Sequence, residues 1–202
     1  MSQAVRRGPG RRPGTADTRA EILAAARAEF AANGFDGTTI RGVARVADVD
    51  PALIHHYFST KHKLFIEAVG FPIDPTEVLP GLIAGAPPDA VERLLRYMFS
   101  VWEDPQGRER VLAMVKSAVT TEQVAGMLRD YVLAQVIVPM LVEAGLVKGD
   151  RAEAERRVGF ALSQVLGMVV GRYVIRIESL AEADPEELIA EVAPTLRRYL
   201  SE

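Results

Sequence analysis

Apolar residues recur every three or four positions along most of this chain, which is the spacing of one face of an α-helix. Runs of β-branched residues between turn signals, which would indicate strands, are scarce. The pattern therefore predicts an all-α protein. Four helices are predicted in residues 1–70, near 18–33, 40–47, 51–58 and 61–70, and six more beyond them, near 75–84, 89–103, 106–118, 121–144, 151–178 and 185–200.

Capping residues mark the predicted helix ends. A capping box, Thr18-x-x-Glu21, begins the first helix, and Gly34 ends it because glycine adopts the left-handed conformation at low cost. Asp50 precedes Pro51 at the start of the third helix, and the same Asp-Pro pair recurs at 74–75, 104–105 and 184–185. An Asp cap followed by proline at the first helical position, where a missing N–H costs nothing, is typical of a helix start.

The composition is that of a folded protein with a sizeable core, since 49% of the 202 residues are hydrophobic and 25% are charged. The absence of cysteine excludes disulfides and thiolate metal sites. No signal peptide is expected, because the first 15 residues are basic and rich in Gly and Pro. The apolar stretch 158–174 is predicted to be a buried helix, too short and too polar to span a membrane. A cytoplasmic protein without a membrane partner is expected.

Charge is distributed unevenly along the chain. Residues 1–70 contain ten Arg and Lys against seven Asp and Glu, whereas residues 71–202 contain fourteen against twenty. The asymmetry favours a polyanionic partner for the first part alone. We predict a disordered basic arm over 1–15, a helix-turn-helix domain over 16–70, whose motif is described next, and a helical domain over 71–202. The arm either contacts DNA or is a solvated tail; its basic residues are Arg6, Arg7, Arg11 and Arg12.

Residues 38–65 have the layout of a helix-turn-helix: two short helices joined by a tight turn and preceded by a longer helix. In that motif the second short helix enters the major groove of DNA. The spacing predicts that Ile40, Val43, Ala44, Val49, Ile54 and Phe58 are buried against the first helix. It leaves Arg41, Arg45, Ala52, Leu53, His55 and His56 facing outward.

This segment resembles the N-terminal domain of the TetR family of bacterial repressors. The matching residues are Ile22-Leu23, Phe30, Gly34-Phe35, Thr38-Thr39-Ile40, Ala44, Ala47, Val49, Ile54, Tyr57-Phe58 and Lys61-x-x-Leu64-Phe65. The resemblance covers residues 16–69 and extends to the remainder in helical layout only. It implies an all-α fold with an N-terminal three-helix helix-turn-helix domain and a C-terminal antiparallel helical domain for ligand binding and dimerisation.

The resemblance also implies roles for individual residues. Phosphate contacts are expected from Thr38, Thr39, Tyr57 and Lys61, and groove contacts from Arg41, Ala52, Leu53, His55 and His56. Many relatives have tyrosines at the two histidine positions and glycine at position 52, so the operator sequence is left open. Alternatively, the two threonines form only a helix cap, and the Tyr57-Phe58 pair belongs only to the core.

Small residues at strict four-residue spacing form a ridge on the predicted 151–178 helix, where another helix can approach closely. They are Gly159, Ser163, Gly167 and Gly171, and a second apolar stripe in the last helix consists of Leu188, Val192 and Leu196. In the TetR family the last two helices form the dimer interface, so these residues are predicted to lie there. The alternative is a contact within the chain.

A ligand pocket in the C-terminal domain is implied by the resemblance. Adaptable Met and aromatic side chains suit such a pocket, and an ordinary core equally well. The candidate residues are Met98, Phe99, Trp102, Met114, Met127 and Tyr131.

The predicted function is a homodimeric transcriptional repressor that an unknown small-molecule effector releases from a palindromic operator in double-stranded DNA. The alternatives are an activator, a regulator without a ligand, a helical adaptor for protein partners, and an enzyme. No Gly-x-Ser-x-Gly elbow or phosphate loop supports catalysis. No metal site is predicted, because the adjacent His55 and His56 point about 100° apart on a helix. No cofactor is predicted either.

Overall fold

A computed structural model describes residues 15–84 and 87–201. The described residues are helical with no strand, so the prediction of an all-α fold is confirmed. The chain divides into two compact units, one ending at Ala68 and the other beginning at Val69.

The first unit contains a long helix followed by three short ones. Their bounds are α1 Thr15–Gly37, α2 Ile40–Val46, α3 Pro51–Phe58 and α4 Lys61–Val69. The first helix begins three residues before the predicted capping box, so Thr18 lies inside it. Gly34 interrupts it, with φ 68° and ψ −179°, a conformation that essentially only glycine adopts.

Three phenylalanine rings form the centre of the first unit. The Phe30 and Phe65 rings meet edge to face with centroids 4.8 Å apart, and Phe35 contacts both. Such pairs add to the apolar burial that stabilises a core. Of the six residues predicted to be buried around the motif, Val43, Ala44, Ile54 and Phe58 are buried, whereas Ile40 and Val49 are half-buried.

The second unit contains the remaining helices. Their bounds are α5 Pro75–Ile83, α6 Pro87–Glu103, α7 Pro105–Thr120, α8 Glu122–Met127, α9 Val138–Glu143, α10 Arg151–Val169, α11 Glu178–Ala181 and α12 Pro185–Ser201. The predicted Asp caps are present: the carboxylates of Asp74, Asp104 and Asp184 accept hydrogen bonds from backbone N–H groups at 3.0, 2.7 and 2.8 Å.

Two π-helical segments extend these helices. Leu128–Ile137 joins α8 to α9, and Val170–Ile175 continues α10. Pro139 explains the first, because proline has no N–H to donate and its ring displaces the carbonyl one turn earlier. The second ends at Arg176, which has a positive φ of 58°.

Among the described residues, two helical stretches are long and apolar enough to cross a membrane by length and composition alone. They are Glu122–Glu143 and Arg151–Ile175, each of which contains an 18-residue window with a mean hydropathy of 1.4 and 1.6, respectively. The expectation that the 158–174 stretch is too short was therefore wrong. These features are weak grounds for a membrane span, because helices of soluble proteins share them, and α10 packs against α12 here.

A buried arginine joins the ends of α6 and α10 to the α11 region. Arg172 is 7% exposed and donates to the Glu103 carboxylate, with Nη2 to Oε1 at 2.8 Å, and to the carbonyls of Leu180 and Ala183. The Tyr173 hydroxyl donates to the same Glu103 oxygen at 2.8 Å. Burial, together with the hydrogen bond to Glu103, raises the pKa of Tyr173 to about 12, so the phenol remains a donor.

This cluster predicts an acid-sensitive contribution to stability. Partial burial by itself raises the pKa of Glu103, but the hydrogen bonds from Arg172 and Tyr173 outweigh it and hold that pKa below its ordinary value. The contribution is therefore complete above the unfolded pKa of about 4.3 and is lost as the pH falls through the folded pKa. Glu103→Gln should lower the free energy of unfolding by about 1 kcal/mol at neutral pH, a small figure because solvent screens the 42% exposed carboxylate.

Urea unfolding at neutral and acidic pH tests this expectation. The difference between Glu103→Gln and the parent should shrink on acidification. Glu109→Gln, at an exposed position of α7, should show no difference at either pH. A Glu103→Gln deficit that stayed constant with pH would contradict a role for the carboxylate charge.

Candidate nucleic-acid interface and apolar cavity

The turn between α2 and α3 is tight and contains two backbone hydrogen bonds. Ala47 donates its N–H to the Val43 carbonyl, and Val49 donates to Ala44, both within 3.0 Å. Asp48 between them has a positive φ of 51°. Helix α3 then begins at an Asp50 cap, whose Oδ1 accepts from the Ala52 N–H at 2.7 Å, with Pro51 at the first position.

Helix α3 separates its buried face from its exposed face as predicted. Ile54 and Phe58 are buried in the core, whereas Ala52, His55 and His56 are exposed and Leu53 is half-buried. On α2 the two predicted cations, Arg41 and Arg45, are also exposed. The exposed side chains of α3 can therefore reach a partner without any change in the core.

The two adjacent threonines before α2 have different roles. Thr39 is exposed, and its hydroxyl oxygen caps α2 by accepting from the Gly42 N–H at 3.0 Å. Thr38 is 1% exposed, and its hydroxyl lies 2.8 Å from the Gly34 carbonyl and 3.0 Å from the Glu29 carbonyl. The prediction of a phosphate contact through Thr38 is corrected, because its hydroxyl is buried and bonded within the chain.

Lys61, at the start of α4, contacts the segment before α2. Its Nζ donates to the Thr38 carbonyl at 2.8 Å and to the Asp36 carbonyl at 3.5 Å, and lies 4.5 Å from the centroid of the Phe35 ring. Tyr57 is half-buried, and its ring contacts the His56 ring. The predicted arm residues Arg6, Arg7, Arg11 and Arg12 lie outside the described residues.

An apolar cavity of two adjoining lobes lies within the second unit. The first lobe has a volume of about 210 Å³ and the second about 180 Å³. Both are lined by Phe71, Ile73, Tyr97, Met98, Ile137, Leu162 and Val165. The first lobe also has walls from α7, including Met114 and Val115, whereas the second has walls from α5 and α12.

Three of the six predicted pocket residues line this cavity: Met98, Trp102 and Met114. Phe99, Met127 and Tyr131 line neither lobe, so this cavity gives no support to their predicted place in a ligand pocket. Phe99 and Met127 are buried in packing, and the Phe99 ring lies beside the Arg172 guanidinium. Sequence reasoning missed Leu162 and Val165 of α10, whose three-residue spacing is the available signal for a shared helix face.

The ridge of small residues on α10 is open at three of its four positions. Gly159, Ser163 and Gly167 are exposed, and a Cβ added at either glycine would meet nothing within 4 Å. Gly171 is instead buried, where a Cβ would lie 2.8 Å from Leu180 Cδ1. The prediction for Gly171 is therefore corrected to a contact within the chain.

The stripe predicted on α12 also faces inward. Leu188 and Leu196 are buried in the core of the second unit, and Val192 is half-buried against it. The assignment of Leu188 and Leu196 to a dimer interface is corrected, because α12 uses this apolar face to pack on α6 and α10, whereas the assignment of the half-buried Val192 stays a prediction.

Two family models match the sequence. Residues 22–68 match the model described as bacterial regulatory proteins, tetR family, and residues 89–200 match the model described as tetracyclin repressor-like, C-terminal domain. No curated protein matches the chain.

Solved structures of regulators also match. A TetR-family regulator from Streptomyces coelicolor A3 is 31% identical over 95% of this chain and 99% of that one, with a TM-score of 0.44. GusR of Salmonella enterica is 22% identical over 93% and 97%, with a TM-score of 0.45. A transcriptional regulator from Rhodococcus sp. Rha1 is 23% identical over 90% and 95%, with a TM-score of 0.42. All three TM-scores are below 0.5, so the family assignment depends on the sequence matches.

Proposed function

The chain belongs to the TetR family of bacterial regulatory proteins, and from that premise we propose that it is a homodimeric repressor, released from a palindromic operator by a small molecule bound in its second unit. It is a DNA-binding transcriptional regulator by family. The repressor activity, the dimer, the operator and the ligand are the proposal. A non-enzymatic, cytoplasmic protein is part of the same proposal.

The exposure pattern of α3 is the observation that supports this proposal best. A capped helix with its apolar face in the core presents Ala52, His55 and His56 to solvent, as a helix that enters the major groove must. Leu53, which is half-buried on α3, and Arg41, which is exposed on α2, complete the proposed set of groove contacts. Imidazole N–H groups can donate to base acceptors, and apolar groups can contact the thymine methyl.

Phosphate contacts are proposed for three residues, of which Thr39 precedes α2, Tyr57 lies on α3 and Lys61 begins α4. Thr39 lies at the N-terminus of α2, where backbone N–H groups and the helix dipole favour an anion. Tyr57 and Lys61 have a polar end group and a side chain that is only half-buried. The arm arginines would add further contacts to phosphates or the minor groove.

The exposed face of α10 supports the proposal of a homodimer. Beside the open positions at Gly159 and Gly167, Phe160 and Leu166 are 48% and 46% exposed. Apolar side chains beside small residues allow another helix to approach closely. A symmetric dimer would place two α3 helices about one DNA turn apart, roughly 34–36 Å, or at a larger spacing.

The apolar cavity supports the proposal of an effector site. In the proposed dimer the two α3 helices can adopt two separations, only one of which fits the operator. A ligand that binds the other state more tightly lowers the affinity for the operator by the ratio of its affinities for the two states. Every described residue that lines the cavity belongs to the second unit.

Selection of bound duplexes from a random DNA pool at moderate salt tests the proposal. Recovery of an inverted repeat is expected, because a two-fold symmetric dimer reads two half-sites of opposite orientation. Recovery of a single half-site would contradict the dimer. Recovery of nothing above background would contradict sequence-specific DNA binding.

A further inference from the structure

We infer that the cavity binds an elongated, uncharged and mostly apolar molecule that fills both lobes, with an alkyl chain as the simplest example. The inference is based on the proposed effector site and adds the chemical class of the effector. Charge, shape and polar contacts of the cavity each constrain the occupant.

The absence of charged side chains from the described lining excludes an ionised group from the interior of the cavity. Among the described residues, every side chain that lines either lobe is aliphatic, aromatic, methionine or proline. A carboxylate or ammonium group buried without a partner loses its hydration and gains no ion pair in return. A cationic or anionic ligand would therefore have to keep its charge outside both lobes.

The shape of the cavity favours an extended molecule. A dry apolar cavity of about 150 Å³ accepts a benzene ring, and each lobe exceeds that volume at about 210 and 180 Å³. The lobes share walls from α6 and α10, including Met98 and Leu162. A ligand confined to one lobe would leave the other without apolar contacts, whereas a chain that passes from one to the other gains burial in both.

Polar contacts inside the cavity are almost absent, because polar atoms contribute next to nothing to the surface of either lobe. Tyr97 is part of the shared wall, but its hydroxyl therefore does not face the interior. A neutral oxygen, such as that of an alcohol, ketone or ester, should lie at one end of the ligand, because a buried polar group without a hydrogen bond is unfavourable.

Direct binding of a homologous series of linear alcohols, from n-hexanol to n-tetradecanol, tests the inference on the full chain without DNA. Trp102 is the single tryptophan and lines the first lobe, so its fluorescence reports occupancy. Affinity should rise about three- to fourfold for each added methylene and stop rising once both lobes are filled. The carboxylate and the ammonium compound of the same length should bind at least tenfold more weakly than the alcohol.

A matched pair of variants on α7 locates the site. Val115 lines the first lobe, whereas Val119, one turn later on the same helix, is 82% exposed. Val115→Phe should weaken binding of the long alcohols and shorten the length at which affinity stops rising, and Val119→Phe should change neither. Ala161→Leu provides an independent test, because Ala161 lines only the second lobe.

The outcomes separate this inference from the proposed function. Equal binding of charged and neutral chains, or equal effects of Val115→Phe and Val119→Phe, would overturn it. If the protein bound no alcohol but still selected an operator from the DNA pool, the inference would also be overturned, and the DNA-binding proposal would stand. Binding in the cavity that fails to release the operator would support the inferred ligand class and contradict the proposed release.

Discussion

Gly107→Ala is expected to destabilise the second unit by several kcal/mol. A Cβ at this position would lie 2.2 Å from the carbonyl oxygen of Val101 and 3.1 Å from its carbonyl carbon. Both are backbone atoms of α6, so no side-chain rotation can remove the clash. Overpacking of a well-packed site costs about 1–3 kcal/mol and occasionally more, and a main-chain clash belongs at the upper end.

The local hydrogen bonding explains why the backbone cannot retreat easily. The Gly107 N–H donates to Asp104 Oδ2 at 2.7 Å, and this bond caps α7 within four residues of the end of α6. Moving Gly107 away from Val101 would break the cap, which is itself worth about 1 kcal/mol. The alanine variant must therefore lose either the cap or the close approach of α6 and α7.

Thermal and urea unfolding followed by circular dichroism measure this effect. Gly126→Ala is the matched control, because its Cβ would lie 3.6 Å from the flexible end of Arg129. Alanine there should leave stability unchanged or raise it by about 0.5–1 kcal/mol, since glycine is unfavourable inside a helix. Similar unfolding curves for the two variants would contradict the close approach at Gly107.

Lys61→Met is expected to lower operator affinity at least tenfold and the free energy of unfolding by about 1–3 kcal/mol. Its ammonium group has three N–H donors, and the carbonyls of Thr38 and Asp36 can accept two of them. Methionine keeps the apolar stem and removes these bonds. The segment before α2 would lose its connection to α4, and Thr39 at the helix start would no longer be held in place.

Lys63→Met is the matched control for this variant, because it removes the same charge from an exposed position of the same helix. Electrophoretic mobility shifts on the selected duplex, together with urea unfolding, separate the two effects. Lys63→Met should weaken binding only slightly, through long-range electrostatics that salt screens. If both variants lost equal affinity at equal stability, total charge and not the position of Lys61 would account for the loss.

Local signals in the sequence were sufficient to predict where most helices begin and which face of α3 is exposed. The Asp-Pro pairs predict helix starts from local sequence, because a cap and its proline interact only with their own helix. Of the exposed residues, His55 and His56 lie three and four positions after Ala52, and the buried Ile54 and Phe58 lie four apart. Each spacing defines one face of a single helix. These predictions required no knowledge of how distant segments pack.

The errors arose where a long-range partner decides the role of a residue. Either of two adjacent threonines can cap α2, and only the position of Gly34 and Glu29 shows that Thr38 is the buried one. Met98 and Phe99 are neighbours on α6 that point about 100° apart, so the placement of α10 determines which of them lines the cavity.

The apolar stripe on α12 was misassigned for the same reason. Leu188 and Leu196 have the spacing of a buried face, which is the same for a core and for an interface between subunits. Periodicity indicates that a face is covered and does not indicate which chain covers it. The dimer proposal therefore depends on the exposed face of α10 instead.

The boundaries of α3 have a consequence for how operator preference can evolve. The helix is held by its Asp50 cap at one end and by Ser59, with a positive φ of 59°, at the other. Its side chains at 52 and 56 contribute little burial, so exchanging them should cost little stability. In the proposed role of α3 as the helix that contacts DNA, one or two substitutions would therefore change the preferred sequence without compensating changes elsewhere, which would make this helix a convenient one to exchange when genetic circuits are redesigned.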